Sequence, residues 1–129
     1  MRELVLALIG GGMGTVARFL VQTGMTRLLG PAFPWGTFAI NITGSFLMGL
    51  VATMIATRFQ QSPHAAEIRT FLATGILGGY TTFSAFSLDA SRLMDSNQSA
   101  AAAFYIAGSV GFSILALYMG FMVAKAIWA

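Results

Sequence analysis

The side chains able to do chemistry in this chain are few and mostly uncharged, and they lie in the middle of apolar segments. Thr37, Asn41 and Ser45 stand four residues apart in Trp35-Gly36-Thr37-Phe38-Ala39-Ile40-Asn41-Ile42-Thr43-Gly44-Ser45, which puts them on one face of a helix. An unpaired amide in hydrocarbon is expensive, so this stripe must face another helix or water. Interhelical glue and a polar pathway are both open readings. A second cluster is Gly75-Ile76-Leu77-Gly78-Gly79-Tyr80-Thr81-Thr82-Phe83-Ser84-Ala85-Phe86-Ser87. Adjacent glycines followed by adjacent threonines are poor helix formers, and they predict a local break at Gly78 to Thr81. Carbonyl oxygens freed there would suit a hard cation such as Na⁺. Beyond the break, Phe83 and Phe86 share a face. Ring edges are electropositive and can stabilise an anion without a formal charge, although core packing is the ordinary role of two phenylalanines.

Arg18 lies inside an apolar run, where a cation faces a cavity, a partner or a headgroup. It reads either as a snorkelling or backbone-bonded side chain or as the lining of an electropositive vestibule. Gly10-Gly11-Gly12-Met13-Gly14 superficially resembles a nucleotide-binding loop, but no βαβ alternation and no P-loop lysine accompany it, so helix packing is the better reading. With no cysteine and with His64 as the lone histidine, thiolate and zinc sites and a Ser-His-Asp triad are poor expectations. No basic tract could track a phosphate backbone, so nucleic acid is not an expected partner.

These groups need positioning, and the composition says by what. Of 129 residues, 57% are hydrophobic and 9% charged, with a mean hydropathy of +0.78; a soluble domain carries about 25% charged residues. The solvent for this fold is a lipid bilayer. Spanning it takes roughly 20 helical residues, and charge-free windows at 28–57, 70–88 and 96–124 qualify, as does 4–26 apart from Arg18. The expected architecture is all-α and integral to the membrane: one domain, 1–129, with helices at about 3–28, 35–57, 67–94 and 99–127, the third broken. Both termini then lie on one side. A cleaved signal peptide over 1–14 is not expected, because the apolar run is short and no small-x-small site follows it. Gly10 with Gly14, Ser45 with Gly49, Gly75 with Gly79, and Ala116, Gly120 and Ala124 have the spacing of close helix packing. Arg2, Arg58, Arg69 and Lys125 fall towards one surface and Arg27 and Arg92 towards the other. So weak a charge bias would allow insertion both ways, and hence an antiparallel homodimer, as well as one fixed orientation.

In Gly14 to Arg18, Trp35-Gly36-Thr37 to Asn41 with Gly44, Gly75 to Ser87, and Tyr105 with Gly108-Ser109, the chain resembles the Fluc (CrcB) family of bacterial fluoride channels. The likeness covers essentially the whole chain. It implies a dual-topology, antiparallel homodimer of four-helix subunits in the bacterial inner membrane, with two fluoride pores and a central, structural Na⁺ that is not transported. By position, Gly78 and Thr81 would offer backbone carbonyls to Na⁺. Phe83 and Phe86 would be the pore phenylalanines, and Asn41 would donate its amide to the fluoride path. Ser84 and Tyr105 would belong to the polar track, and Ser109 and Arg18 would lie towards a vestibule. One position departs: family members commonly have Thr or Ser where this chain has Ala85, which leaves the track without a second hydroxyl there.

Physical chemistry supports the same cargo. Fluoride is small, strongly hydrated and an excellent hydrogen-bond acceptor, so a narrow path must replace its water with donors from Asn, Ser, Thr and Tyr; a wide cationic pore would pass chloride as well. A small dual-topology multidrug exporter is the main rival, but such proton-coupled carriers rely on a carboxylate deep in the first helix, and here that helix has only Glu3 at its end. A non-transporting assembly subunit would leave the Asn41 stripe and the broken helix without purpose. An enzyme is least expected, since no nucleophile-base pair or metal cluster can be assembled.

Overall fold

Each long charge-free run folds as a helix, because a backbone in hydrocarbon must satisfy its own N–H and C=O groups. The computed structural model describes residues 1–128; residue 129, the last of the expected domain, lies outside them. Helix α1 runs Arg2–Leu29 and α2 Trp35–Arg58. The third span, Ala65–Asp95, is composite. Its first part, α3, is a continuous helical run over 65–80 made of an α turn Ala65–Arg69, a π-helical stretch Thr70–Leu77 and a short α segment Gly78–Tyr80. The chain then leaves the helix over 81–83 and resumes as α4, Ser84–Asp95. Helix α5 runs Ser99–Trp128. The fold is therefore all-α, with four spans long and apolar enough to cross a membrane, the third of them broken.

The break lies later than the glycines suggested. Gly78 and Gly79 remain helical, and the backbone turns extended only at Thr81, with ψ 157°. Poor helix propensity did not decide the position. A side chain from α2 did, as described below.

The turns follow local chemistry. Helix α1 ends at Gly30, whose φ of 82° suits a residue without a Cβ and whose N–H reaches the Thr26 carbonyl at 2.9 Å. Pro31 and Pro34 then prevent the helix from continuing. Between α4 and α5, Asn97 takes a left-handed φ of 58°, and the Gln98 N–H closes onto the Leu93 carbonyl at 2.9 Å.

Packing rests on two seams of small residues. Against α3, a Cβ added to Gly10 would lie 2.7 Å from the Phe71 carbonyl oxygen, and one added to Gly14 would run into the Ile76 carbonyl. Between α2 and α5, Gly49 and Gly120 approach so closely that a Cβ on either would meet a backbone carbonyl of the other helix. At one end of the bundle Phe86, Ala90, Leu93, Ala102 and Tyr105 form a buried cluster with Phe33 and Phe38 against it. Leu8, Val16 and Phe19 on α1, and Ile114, Tyr118 and Met122 on α5, point outward, as side chains solvated by lipid do.

Candidate functional site

The site begins with one side chain holding a backbone open. Asn41, on α2, accepts the Thr82 N–H on its Oδ1 at 2.9 Å and donates from Nδ2 to the Thr82 carbonyl at 3.0 Å. Both backbone groups of Thr82 are thereby satisfied outside a helix, which is the condition for irregular backbone at membrane depth. Thr81 closes α3, sending its N–H and its hydroxyl to the Leu77 carbonyl at 3.0 and 2.9 Å. In an unbroken helix the Thr82 N–H would bond the Gly78 carbonyl. Because Asn41 takes it instead, the Gly78 carbonyl has no donor among the described residues, and neither has that of Thr81.

Around this break lies an open groove of about 590 Å³. Asn41, Gly78, Thr81, Thr82, Phe83, Phe86 and Ser109 line it, together with Ser45, Ser113, Val110 and Leu117. The rings of Phe83 and Phe86 lie 5.4 Å apart at 47°. Phe86 belongs to the buried cluster, whereas Phe83 is 77% exposed and projects from the chain. Along the groove wall, Ser109 and Ser113 are four apart on α5, and both hydroxyls are buried without a partner. Since a buried hydroxyl without a hydrogen bond costs about 1–3 kcal/mol, two of them on one wall call for an explanation. Asn41 has a spare donor too, since Nδ2 carries two N–H groups and Thr82 uses one.

The groove thus brings together Asn41, Phe83, Phe86, Ser109, Gly78 and Thr81. Other expected site residues lie apart. Tyr105 is fully buried behind Phe86, with ring centroids 5.2 Å apart, and donates to Asp89 Oδ2 at 3.3 Å. Ser84 is exposed at the start of α4, its Oγ 3.5 Å from that of Thr82. Arg18 is half-buried midway along α1, and no ion pair reaches it among the described residues. Ala85 faces a separate cavity of about 340 Å³ that Gln22, Thr37, Asp89 and Arg92 also line; Gln22 donates to Thr37 there at 3.2 Å.

Sequence reasoning missed Ser113, Thr82 and Asp89. The series Tyr105, Ser109, Ser113 repeats every four residues on one helix, a signal that was available. The Thr82 clamp and the Asp89 bond span 41 and 16 residues of sequence and carry no local signature. No cluster of His, Cys, Asp or Glu able to hold a metal forms among the described residues. The freed carbonyls of Gly78 and Thr81 are therefore the cation donors on offer; as neutral oxygens they fit a hard monovalent ion and suit a transition metal poorly.

Comparison with known proteins places this geometry. The family described as CrcB-like protein, Camphor Resistance (CrcB), matches residues 5–121. A protein of Rhizobium meliloti is 48% identical over 127 residues, covering 98% of this chain and 99% of that protein. One of Chelativorans is also 48% identical with the same coverage, and one of Agrobacterium fabrum is 46% identical over 97% of this chain and 98% of its own length. Each is named as a fluoride-specific ion channel.

Proposed function

The chain belongs to the CrcB-like family, and from that premise we propose the path by which it conducts: it is a multi-pass bacterial membrane channel, specific for fluoride, and the groove around Asn41 is where the ion passes. It conducts and does not catalyse. The observation that carries the path is the set of unused donors on one wall, the Ser109 and Ser113 hydroxyls and the spare Asn41 N–H, beside the Phe83–Phe86 pair and with no carboxylate in the lining.

Fluoride entering the groove must lose water, and each lost water must be replaced by a donor. The serine hydroxyls and the Asn41 amide supply donors without a fixed positive charge, which would hold the ion too tightly to release it. Where hydroxyls run out, the ring edges of Phe83 and Phe86 supply weaker electropositive contacts. Export needs no coupling machinery. HF enters neutral and ionises inside, and an inside-negative potential drives the anion outward with about 2.3 kcal/mol per 100 mV. The channel thereby lowers fluoride toxicity.

The working unit in this reading is an antiparallel homodimer in the inner membrane, with two pores. An exposed Phe83 ring and a groove open along one side support it, because a second copy would close the groove and bring its own phenylalanines. The carbonyls of Gly78 and Thr81, two from each subunit near a twofold axis, would hold a structural Na⁺, and orphaned neutral oxygens are the donors such an ion takes.

Fluoride release from liposomes, read with a fluoride-selective electrode, tests the reading. Protein reconstituted in Na⁺ releases fluoride rapidly; with a bulky organic cation in its place, flux or dimer stability falls and returns with Na⁺. Absence of release in Na⁺ would overturn the channel path, and unchanged release after exhaustive Na⁺ removal would overturn the cation. Single cysteines on the Arg27 surface should cross-link the two subunits poorly; efficient zero-length cross-links between those identical loops would overturn the antiparallel arrangement.

A further inference from the structure

Helix α3 meets α1 along a row of positions four residues apart, which a regular α-helix would carry round by about 40° at each step. Glu67 pairs with Arg2 of α1 at 3.8 Å, and higher up Phe71, Gly75 and Gly79 lie against Gly10 and Gly11. At about 100° per residue, the positions that lie closest in angle to Glu67 in a regular helix are Phe71, Thr74 and Gly78. The observed contacts agree at Phe71 and are then displaced, from Thr74 to Gly75 and Ile76 and from Gly78 to Gly79 and Tyr80. Between them lies the π-helical stretch Thr70–Leu77, which ends with the Gly78 N–H shared between the Ala73 carbonyl, five residues back, and the Gly75 carbonyl.

The displacement decides what the groove contains. In α-helical register Gly78 would turn towards α1. With the π turn, Gly75 is buried in the seam while Thr74 and Gly78 are exposed, and Gly78 lines the groove. We infer that the third span carries one residue more than its register needs, and that the π turn absorbs it so that the glycine seam and the Gly78 carbonyl are both in phase. Its role at the Gly78 carbonyl rests on the channel reading above; its role in the seam does not.

The account makes an unusual demand on deletions. Removing Leu72 leaves Glu67, Phe71, Gly75 and Gly79 spaced by four, three and four, the spacing of one α-helical face. The shortened span can then become a regular helix without moving the seam or the groove. Removing Leu47 from α2, which has no π turn, takes Gly44 and Gly49 out of phase instead.

Both deletion variants and the parent are purified and compared by size-exclusion chromatography, thermal unfolding and fluoride release from liposomes. Deletion of Leu72 should preserve the parent's oligomeric state and keep flux within about twofold, because a π turn is a local insertion in an α-helix. Deletion of Leu47 should lose assembled protein. Failure of the Leu72 deletion to assemble would overturn the inference, and so would normal assembly with lost flux, since the extra residue would then do more than set register. If the parent itself does not conduct, the channel reading fails, and assembly and unfolding still decide the role of the turn.

Discussion

The α1–α3 seam and the groove beside the Thr81–Phe83 break are neighbours built from the same kinds of small residue, and they end in opposite states. In the seam, glycine backbones approach until a Cβ at Gly14 would strike a carbonyl. The two backbones fill the seam, and no space remains beside them. In the groove, the Gly78 and Thr81 carbonyls and the Ser109 and Ser113 hydroxyls have no partner, and the space is open. Small residues in a membrane helix therefore do not by themselves mark a pathway. What separates the regions is space beside the polar groups: closed by backbone where helices lock together, open beside unpartnered groups where the proposed path runs.

Substitutions that respect this division should change either stability or flux. The largest effect is expected in the seam. Gly14→Val places a branched side chain of three carbons against the Ile76 backbone and should cost about 3 kcal/mol or more, appearing as loss of monodisperse protein. Gly12→Ala, where nothing lies within 4 Å of the added carbon, should leave assembly intact. If Gly14→Val assembles normally, the seam is looser than drawn.

Asn41→Asp comes next and sharpens the contrast from the groove side. The carboxylate still accepts the Thr82 N–H but cannot donate to the Thr82 carbonyl or to an anion. Flux should fall about 100-fold, equivalent to roughly 2.7 kcal/mol of barrier, while the variant elutes like the parent in size-exclusion chromatography. Wild-type flux would remove Asn41 from the path.

The phenylalanine pair straddles the two regions. Phe83→Ile and Phe86→Ile should each lower flux about tenfold, or roughly 1.4 kcal/mol. Only Phe86, packed on Tyr105 at 5.2 Å, should also lower the melting temperature, by the equivalent of about 1 kcal/mol. Normal conduction in both variants would reduce the rings to packing.

The smallest effect has opposite signs in the two readouts. Ser109→Ala and Ser113→Ala each remove a buried hydroxyl that has no partner, so stability should hold or rise by about 1 kcal/mol while flux falls several-fold. A loss of stability with unchanged flux would mean that the hydroxyls bond within the protein.

Much of this was legible in the sequence because hydrocarbon imposes strong rules. Four charge-free runs could only be spans, and Gly10, Gly14, Gly49 and Gly120 had the spacing of contact residues. Asn41, Phe83 and Phe86 were legible because an amide and a pair of rings beside Gly-Gly-Tyr-Thr-Thr are unusual in a span. The place of the break was not, since it depends on the Thr82 N–H going to Asn41 of another helix and not on glycine propensity. The π turn was invisible for a related reason: Thr70–Leu77 has no residue that forbids an α-helix, and the extra residue shows only in that Phe71 meets α1 while Gly78, seven residues on, lines the groove. The setting of Tyr105 was not legible either: its ring is enclosed by Phe33, Phe38 and Phe86 and its hydroxyl turns to Asp89, 16 residues away in sequence.

The central claim is that the unsatisfied groove passes fluoride and rejects chloride. Reversal potential in a planar bilayer, with fluoride and chloride gradients set in opposite directions, tests it most directly. The account predicts a potential at the fluoride equilibrium value that does not move when chloride is changed. A potential that follows chloride, or that lies midway between the two ions, would contradict it.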